Sequence, residues 1–179
     1  MSVTQRPVTI SGSRFYDSTT NVSSSDINTF NNTVGSQTLA IAGTGSVSTA
    51  IAGSGKTISL GTLTLTDGTG LASNYSLNSG TFDINSRQVN IAGSRIYDGT
   101  TAANGSDLVV TTGVGSEILT VSGTGSISSA NVGNNKSVTA GSLALSSGSG
   151  NASNYTLGTI TLSVTQRIVN ADLEKIYDG

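Results

Sequence analysis

Apolar residues recur at every second position in short runs along this chain. Val8 and Ile10 alternate with polar neighbours, and Val89 and Ile91 do the same. The pattern continues at Leu39/Ile41 and Leu119/Val121, at Ile58/Leu60 and Val138/Ala140, at Leu63/Leu65 and Leu143/Leu145, and at Tyr75/Leu77 and Tyr155/Leu157. A period of two turns one side of each segment to a core and the other to water, which is the mark of a half-buried β-strand. Gly, Asn, Ser and Asp separate the runs, as turn chemistry requires. No segment holds a helical period for long. The expectation is an all-β chain of short strands, arranged as small β-sandwich domains of Greek-key or immunoglobulin-like type.

The alternation changes phase at matching places. It slips across Gly61 between Leu60 and Leu63, and across Gly141 between Ala140 and Leu143. A second pair of slips separates Tyr75/Leu77 from Phe82/Ile84, with Gly80 between, and Tyr155/Leu157 from Ile160/Leu162, across Gly158. A one-residue slip flips the buried face unless a bulge or turn absorbs it. Bulges or tight turns are therefore expected at Gly61, Gly141, Gly80 and Gly158. The alternative is that Ser and Thr tolerate either face.

These coincidences follow from an internal repeat. Residues 6–20, RPVTISGSRFYDSTT, return at 87–101 as RQVNIAGSRIYDGTT, and the opening returns again at 167–179 as RIVNADLEKIYDG. Residues 43–46 match 123–126, and ASNYSL at 72–77 matches ASNYTL at 152–157. The period is about 80 residues, longer than the roughly 20 to 50 residues of solenoid repeats. It is long enough for each copy to be a small domain. One residue is gained or lost between Asp26 and Val34. Because SVTQR occurs at both 2–6 and 163–167, the chain is expected to divide into a tail of a preceding copy (1–6), two whole repeats (7–87 and 88–167) and the start of a third (168–179).

Composition narrows the chemistry. Charged residues are 10% of the chain and aromatics 4%, with a net charge of -2. There is no apolar run near the roughly 18 residues of a spanning helix. Eight basic residues spread thinly argue against a nucleic-acid surface. The sequence has no Cys and no His. Disulfides, thiolate nucleophiles, imidazole bases and Cys- or His-based metal sites are thereby excluded. The remaining carboxylates and lysines are scattered, so neither an enzyme nor a cofactor is expected.

All five tyrosines lie in the two recurrent motifs: Tyr16, Tyr97 and Tyr177 precede Asp, and Tyr75 and Tyr155 follow Asn. Large rings are efficient core fillers in a chain with so few, and a buried hydroxyl needs a partner. The structural reading makes these rings core anchors. It makes Asp17 and Asp98 turn caps and Gly99 a residue of positive φ. Ser18 in place of Gly argues that this position does not strictly require positive φ. Asn74 and Asn154 read as turn residues before the second tyrosine. The functional reading makes Tyr and Asp the lining of a sugar or metal site.

The matching motifs are Arg14–Thr20 (RFYDSTT), Arg95–Thr101 (RIYDGTT), Lys175–Gly179 (KIYDG), and the closing NYSL at 74–77 and NYTL at 154–157. On these the chain resembles the YDG repeat and its relatives, the mostly-beta glycine-rich domains of large bacterial surface adhesins, many of them filamentous-haemagglutinin-like exoproteins. The resemblance implies an all-β extracellular domain strung in tandem, with no catalytic residues. The function expected is a structural spacer, a stalk that projects a distal adhesive region from a bacterial surface. Its partners are neighbouring repeats, with host or matrix glycans met through other regions. A monomer without membrane insertion is expected. The junctions at 83–91 and 162–170 contain no Gly, so the array should be stiff and elongated, unlike a Gly/Ser coil.

Three other readings stay open. Each copy could bind glycan or calcium, with Asp17, Asp26, Asp98 and Asp107 as cation ligands, although no calcium-loop spacing occurs. The chain could be a β-solenoid with a regular Thr face at 62–66. Lys56 and Lys136, at equivalent positions, could form isopeptide staples or be ordinary surface lysines.

Overall fold

A computed structural model describes residues 3–170, all in strands, short 3-10 turns and loops. Tyr177, Asp178 and the rest of the third motif lie outside the described residues. The chain forms two compact units. The first is Met1–Gln88 together with Val114–Ser116 and Asn151–Thr156. The second is Val89–Gly113, Glu117–Gly150 and Leu157–Gly179. The expected all-β class is what is found.

The first copy contributes strands β1 (Arg6–Phe15), β2 (Asn21–Ser23), β3 (Ile27–Asn31), β4 (Leu39–Ala42), β5 (Thr44–Ser46), β6 (Gly53–Thr57), β7 (Thr64–Asp67) and β8 (Tyr75–Asn85). Its main sheet runs β3-β1-β8-β6. The first and last strands lie parallel at its centre, with Val8 opposite Leu77 and Arg14 opposite Ile84. Antiparallel strands flank them on both sides. Small pairs β2-β5 and β4-β7 complete the copy, and a bridge from Ser46 to Ser59 leads from β5 toward the main sheet.

The second copy repeats this order with β9 (Arg87–Ile96), β10 (Ala102–Asn104), β11 (Leu108–Thr111), β12 (Leu119–Ser122), β13 (Thr124–Ile127), β14 (Gly133–Thr139), β15 (Ala144–Ser147) and β16 (Tyr155–Thr165). Here the bridge has become ladder, and one sheet runs β10-β13-β14-β16-β9-β11. β12 pairs with β15 as β4 does with β7. Antiparallel pairs within the main sheet of each copy are not a coil of parallel rungs, which removes the solenoid reading.

The alternation delivers the core. Val8, Ile10, Ile58, Leu63, Phe82 and Ile84 are buried in the first unit. Ile91, Leu108, Ile127, Leu143, Leu162 and Val164 form one cluster in the second. In the short pairs one residue is buried and its neighbour two places on is half-buried, as at Leu39/Ile41 and Leu143/Leu145. The core is consequently thin, and each large side chain carries a large share of it.

Three of the four expected phase changes have a physical cause on view. Gly61 and Gly141 adopt φ of 54° and 55° in tight turns closed by Leu63 N–H to Leu60 O and Leu143 N–H to Ala140 O, both 2.8 Å. At Gly80 the parallel register jumps from Thr9↔Asn78 to Ser11↔Thr81, so Ser79 and Gly80 bulge opposite Ile10. A Cβ on Gly80 would lie 1.6 Å from the Ile10 carbonyl oxygen. Gly158 differs: it sits inside β16 and is not among the positive-φ glycines, so no tight turn forms there. The inserted residue also has a place. β3 runs to Asn31, and Asn32 follows at φ 73°, where β11 ends at Thr111.

Candidate functional site

The recurrent Arg-x-Tyr-Asp motif stands where β1 and β9 end. Asp17 Oδ1 accepts hydrogen bonds from the Thr19 N–H and hydroxyl, both at 2.9 Å. Asp98 Oδ1 accepts the same pair from Thr100, at 2.9 and 3.0 Å. Each is an aspartate turn that satisfies a backbone donor two residues ahead, as expected of a cap. The backbone N–H groups of Tyr16 and Tyr97 donate to Asn85 O and Thr165 O at 2.9 Å. The motif thus fastens the end of the copy's first strand to its last.

The arginine three residues before the aspartate completes the lock, and the sequence reading gave it no role. Arg14 pairs with Asp17 at 3.1 Å and donates to the carbonyls of Thr19 and Asn21. Its guanidinium carbon lies 5.7 Å from the centroid of the Phe82 ring, within cation–π range. Arg95 pairs with Asp98 and donates to the Thr100 carbonyl and, at 3.1 Å, to the Thr100 hydroxyl. Both arginine side chains are nearly buried, and in both the Nε is buried without an acceptor. The signal that could have found them is their place three residues before the aspartate in both copies. Asp98 is held down to about 2, first by the Thr100 N–H and then by Arg95. A carboxylate so engaged is a turn lock.

The turn itself corrects one expectation. Gly99 has φ 81°, as expected, but Ser18 at the same place has φ 67°. The turn demands the left-handed conformation in both copies, and Ser18 bears its steric cost.

The tyrosines divide. Tyr75 is buried against Val8 and Leu39. Its hydroxyl donates to Gln37 Oε1 and accepts the Val34 N–H at 3.2 Å, an anchor with its polar tip satisfied. Tyr16 and Tyr155, both in the first unit, are buried. They meet edge to face, with centroids 5.3 Å apart and planes at 76°. Tyr97 does not fit the anchor expectation. It is 39% exposed where Tyr16 is 6%. The reason is local: Tyr16 has the Tyr155 ring laid against it, whereas Tyr97 borders an open cleft. Asn74 is exposed, whereas Asn154 is buried, its Oδ1 accepting the Ala52 N–H at 2.9 Å.

The other candidate chemistry is accounted for as structure. Asp26 closes a capping box with Ser23, and Asp107 sits in a 3-10 turn. Among the described residues no three Asp or Glu side chains come together as a metal site would require. Lys56 Nζ donates to the Thr49 hydroxyl at 3.1 Å, and Lys136 Nζ to the carbonyls of Ser129 and Asn131. Neither set of contacts is the amide or acid of an isopeptide pair.

Two all-strand copies, each locked by the same Arg-Asp turn, define a tandem β-repeat protein. The chain belongs to the YDG domain family, whose model matches residues 2–82 and again 84–163. No curated protein and no solved structure matches the chain.

Proposed function

We propose that this chain is a spacer segment of an extracellular bacterial adhesin, a stalk that carries a distal adhesive region away from the cell surface. Tandem YDG domains over most of the chain support a repeated mechanical unit. The observation that carries the reading is the connection between copies. β8 ends at Asn85 and β9 begins at Arg87, leaving Ser86 as the whole linker. A one-residue linker between two long strands has little freedom compared with a polar coil. The recurrent side chains are engaged in fastening strands, which every bead needs, and a lock on the first and last strands opposes extension along the chain.

Small-angle scattering of the 179-residue protein tests the spacer role. A single narrow distribution of intramolecular distances is expected, and a broad one that persists on dilution would overturn it. Antibody raised to this chain should label intact, unpermeabilised cells of the source organism. Labelling only after permeabilisation would remove the surface assignment.

A further inference from the structure

Equivalent positions of the two copies occur in two environments, and the difference is systematic. Tyr16 is buried and Tyr97 exposed. Val114 is 4% exposed and Val34 49%. Asn154 is 3% exposed and Asn74 open to solvent. The Ala52 N–H bonds to Asn154, whereas Val132 at the matching place is half exposed. Every buried member belongs to the first compact unit, which takes in residues 114–116 and 151–156. That unit therefore displays the covered form of the Tyr-Asp face. Tyr155 sits edge-on to Tyr16, Asn154 Oδ1 holds the Ala52 N–H, and Ser86 Oγ donates to Ser153 O at 3.4 Å.

We propose that the exposed face at Tyr97 and Val132 is a docking surface for another copy of this repeat, which it receives through that copy's exposed Val34, Leu71 and Asn74 edge. The covering pieces are conserved within the chain: Val34-Gly35-Ser36 is identical to Val114-Gly115-Ser116, and Ala72-Ser73-Asn74-Tyr75 to Ala152-Ser153-Asn154-Tyr155. The receiving face is an open cleft of about 590 Å³ lined by Tyr97, Val132, Gln166, Arg167, Ile168 and Val169. Two substitutions make the match more apolar than its precedent. Val132 replaces Ala52 on the receiving side, and exposed Leu71 replaces Asn151 beside the covering motif. The two surfaces are different patches, so the contact is heterologous and joins copies head to tail. In a tandem chain the high effective concentration lets a weak contact of this kind persist. The inference deepens the spacer reading by naming the surfaces through which copies meet.

The absence of native cysteine makes the test clean. Asn74→Cys protein is mixed with Val132→Cys protein under mild oxidation. The control mixture pairs Asn74→Cys with Val109→Cys, an exposed residue that does not line this cleft. The first mixture is expected to form disulfide heterodimer at least about 10-fold faster, as a transient specific contact raises the local thiol concentration. Tyr97→Asp placed in the Val132→Cys protein should abolish the advantage and Tyr97→Phe keep it, with both variants folded at the temperature of the experiment as a cooperative melt above it shows. Equal rates in the two mixtures, or an advantage that survives Tyr97→Asp, would overturn the docking face. Equal rates with a narrow scattering distribution would leave the spacer reading standing. Selective cross-linking with a broad distribution would do the reverse.

Discussion

Tyr16 and Tyr97 hold the same place in the same motif, and their turns are built alike, yet one ring is buried and the other meets solvent. The aspartate turn, the arginine pair and the backbone bond to the last strand recur almost atom for atom. Those features depend on residues within a few positions or on the copy's own sheet. Burial of the ring depends on what lies against it, and only Tyr16 has Tyr155. A repeated residue thus inherits its local geometry from sequence and its energetic weight from its neighbours. The largest expected effect follows. Tyr16→Ala should destabilise the first unit by about 3 kcal/mol, the lower range for deleting a buried ring. Tyr97→Ala should cost the second unit about 1 kcal/mol or less, because much of its surface is already wet. Amide hydrogen exchange resolved by residue would measure each unit separately. Equal losses in the two units would show that the exposed ring is worth as much as the covered one.

A second contrast is confined to the backbone. The turn after the aspartate takes a left-handed residue in both copies, a serine at 18 and a glycine at 99. An L-residue pays a steric penalty there that glycine does not, offset in part by the greater freedom glycine loses on folding. Ser18→Gly should stabilise the first unit by about 1 kcal/mol, and Gly99→Ser should destabilise the second by about as much. Opposite signs of similar size in denaturant titrations are the expected result. A destabilising Ser18→Gly would mean that the serine side chain contributes more than its backbone costs.

The strands were legible because alternation is a local signal, and Val8/Ile10 and Val89/Ile91 are buried as their spacing implies. The tight turns at Gly61 and Gly141 were legible for the same reason. The parallel pairing of β1 with β8 was not, because it joins Val8 to Leu77 across nearly the whole copy and nothing in either segment names the other. The bulge at Gly80 could be placed, but its partner Ile10 could not. Of the candidate site, the aspartate turns could be read from Asp-x-Thr. The arginines went unassigned because their partners are largely carbonyl oxygens, which a sequence does not distinguish. The unequal burial of Val34 and Val114 lay beyond reach altogether, since the two segments are identical.

The smallest effect concerns acid. Asp98 has its carboxyl held down to about 2 from an ordinary 3.8, chiefly by the Thr100 N–H and next by Arg95. Those partners exist only in the folded chain, so the unfolded chain binds the proton more readily than the folded one. The stabilisation is therefore whole above pH 3.8 and is lost as the pH falls from there through about 2. Melting of the second unit should fall across that window, and Asp98→Asn should lower stability at neutral pH while flattening the fall. The asparagine can still accept the Thr100 N–H but cannot pair with the Arg95 charge, so it separates the turn from the ion pair. A variant that matches the parent at neutral pH and retains the full acid slope would show that the carboxylate charge contributes nothing to the lock.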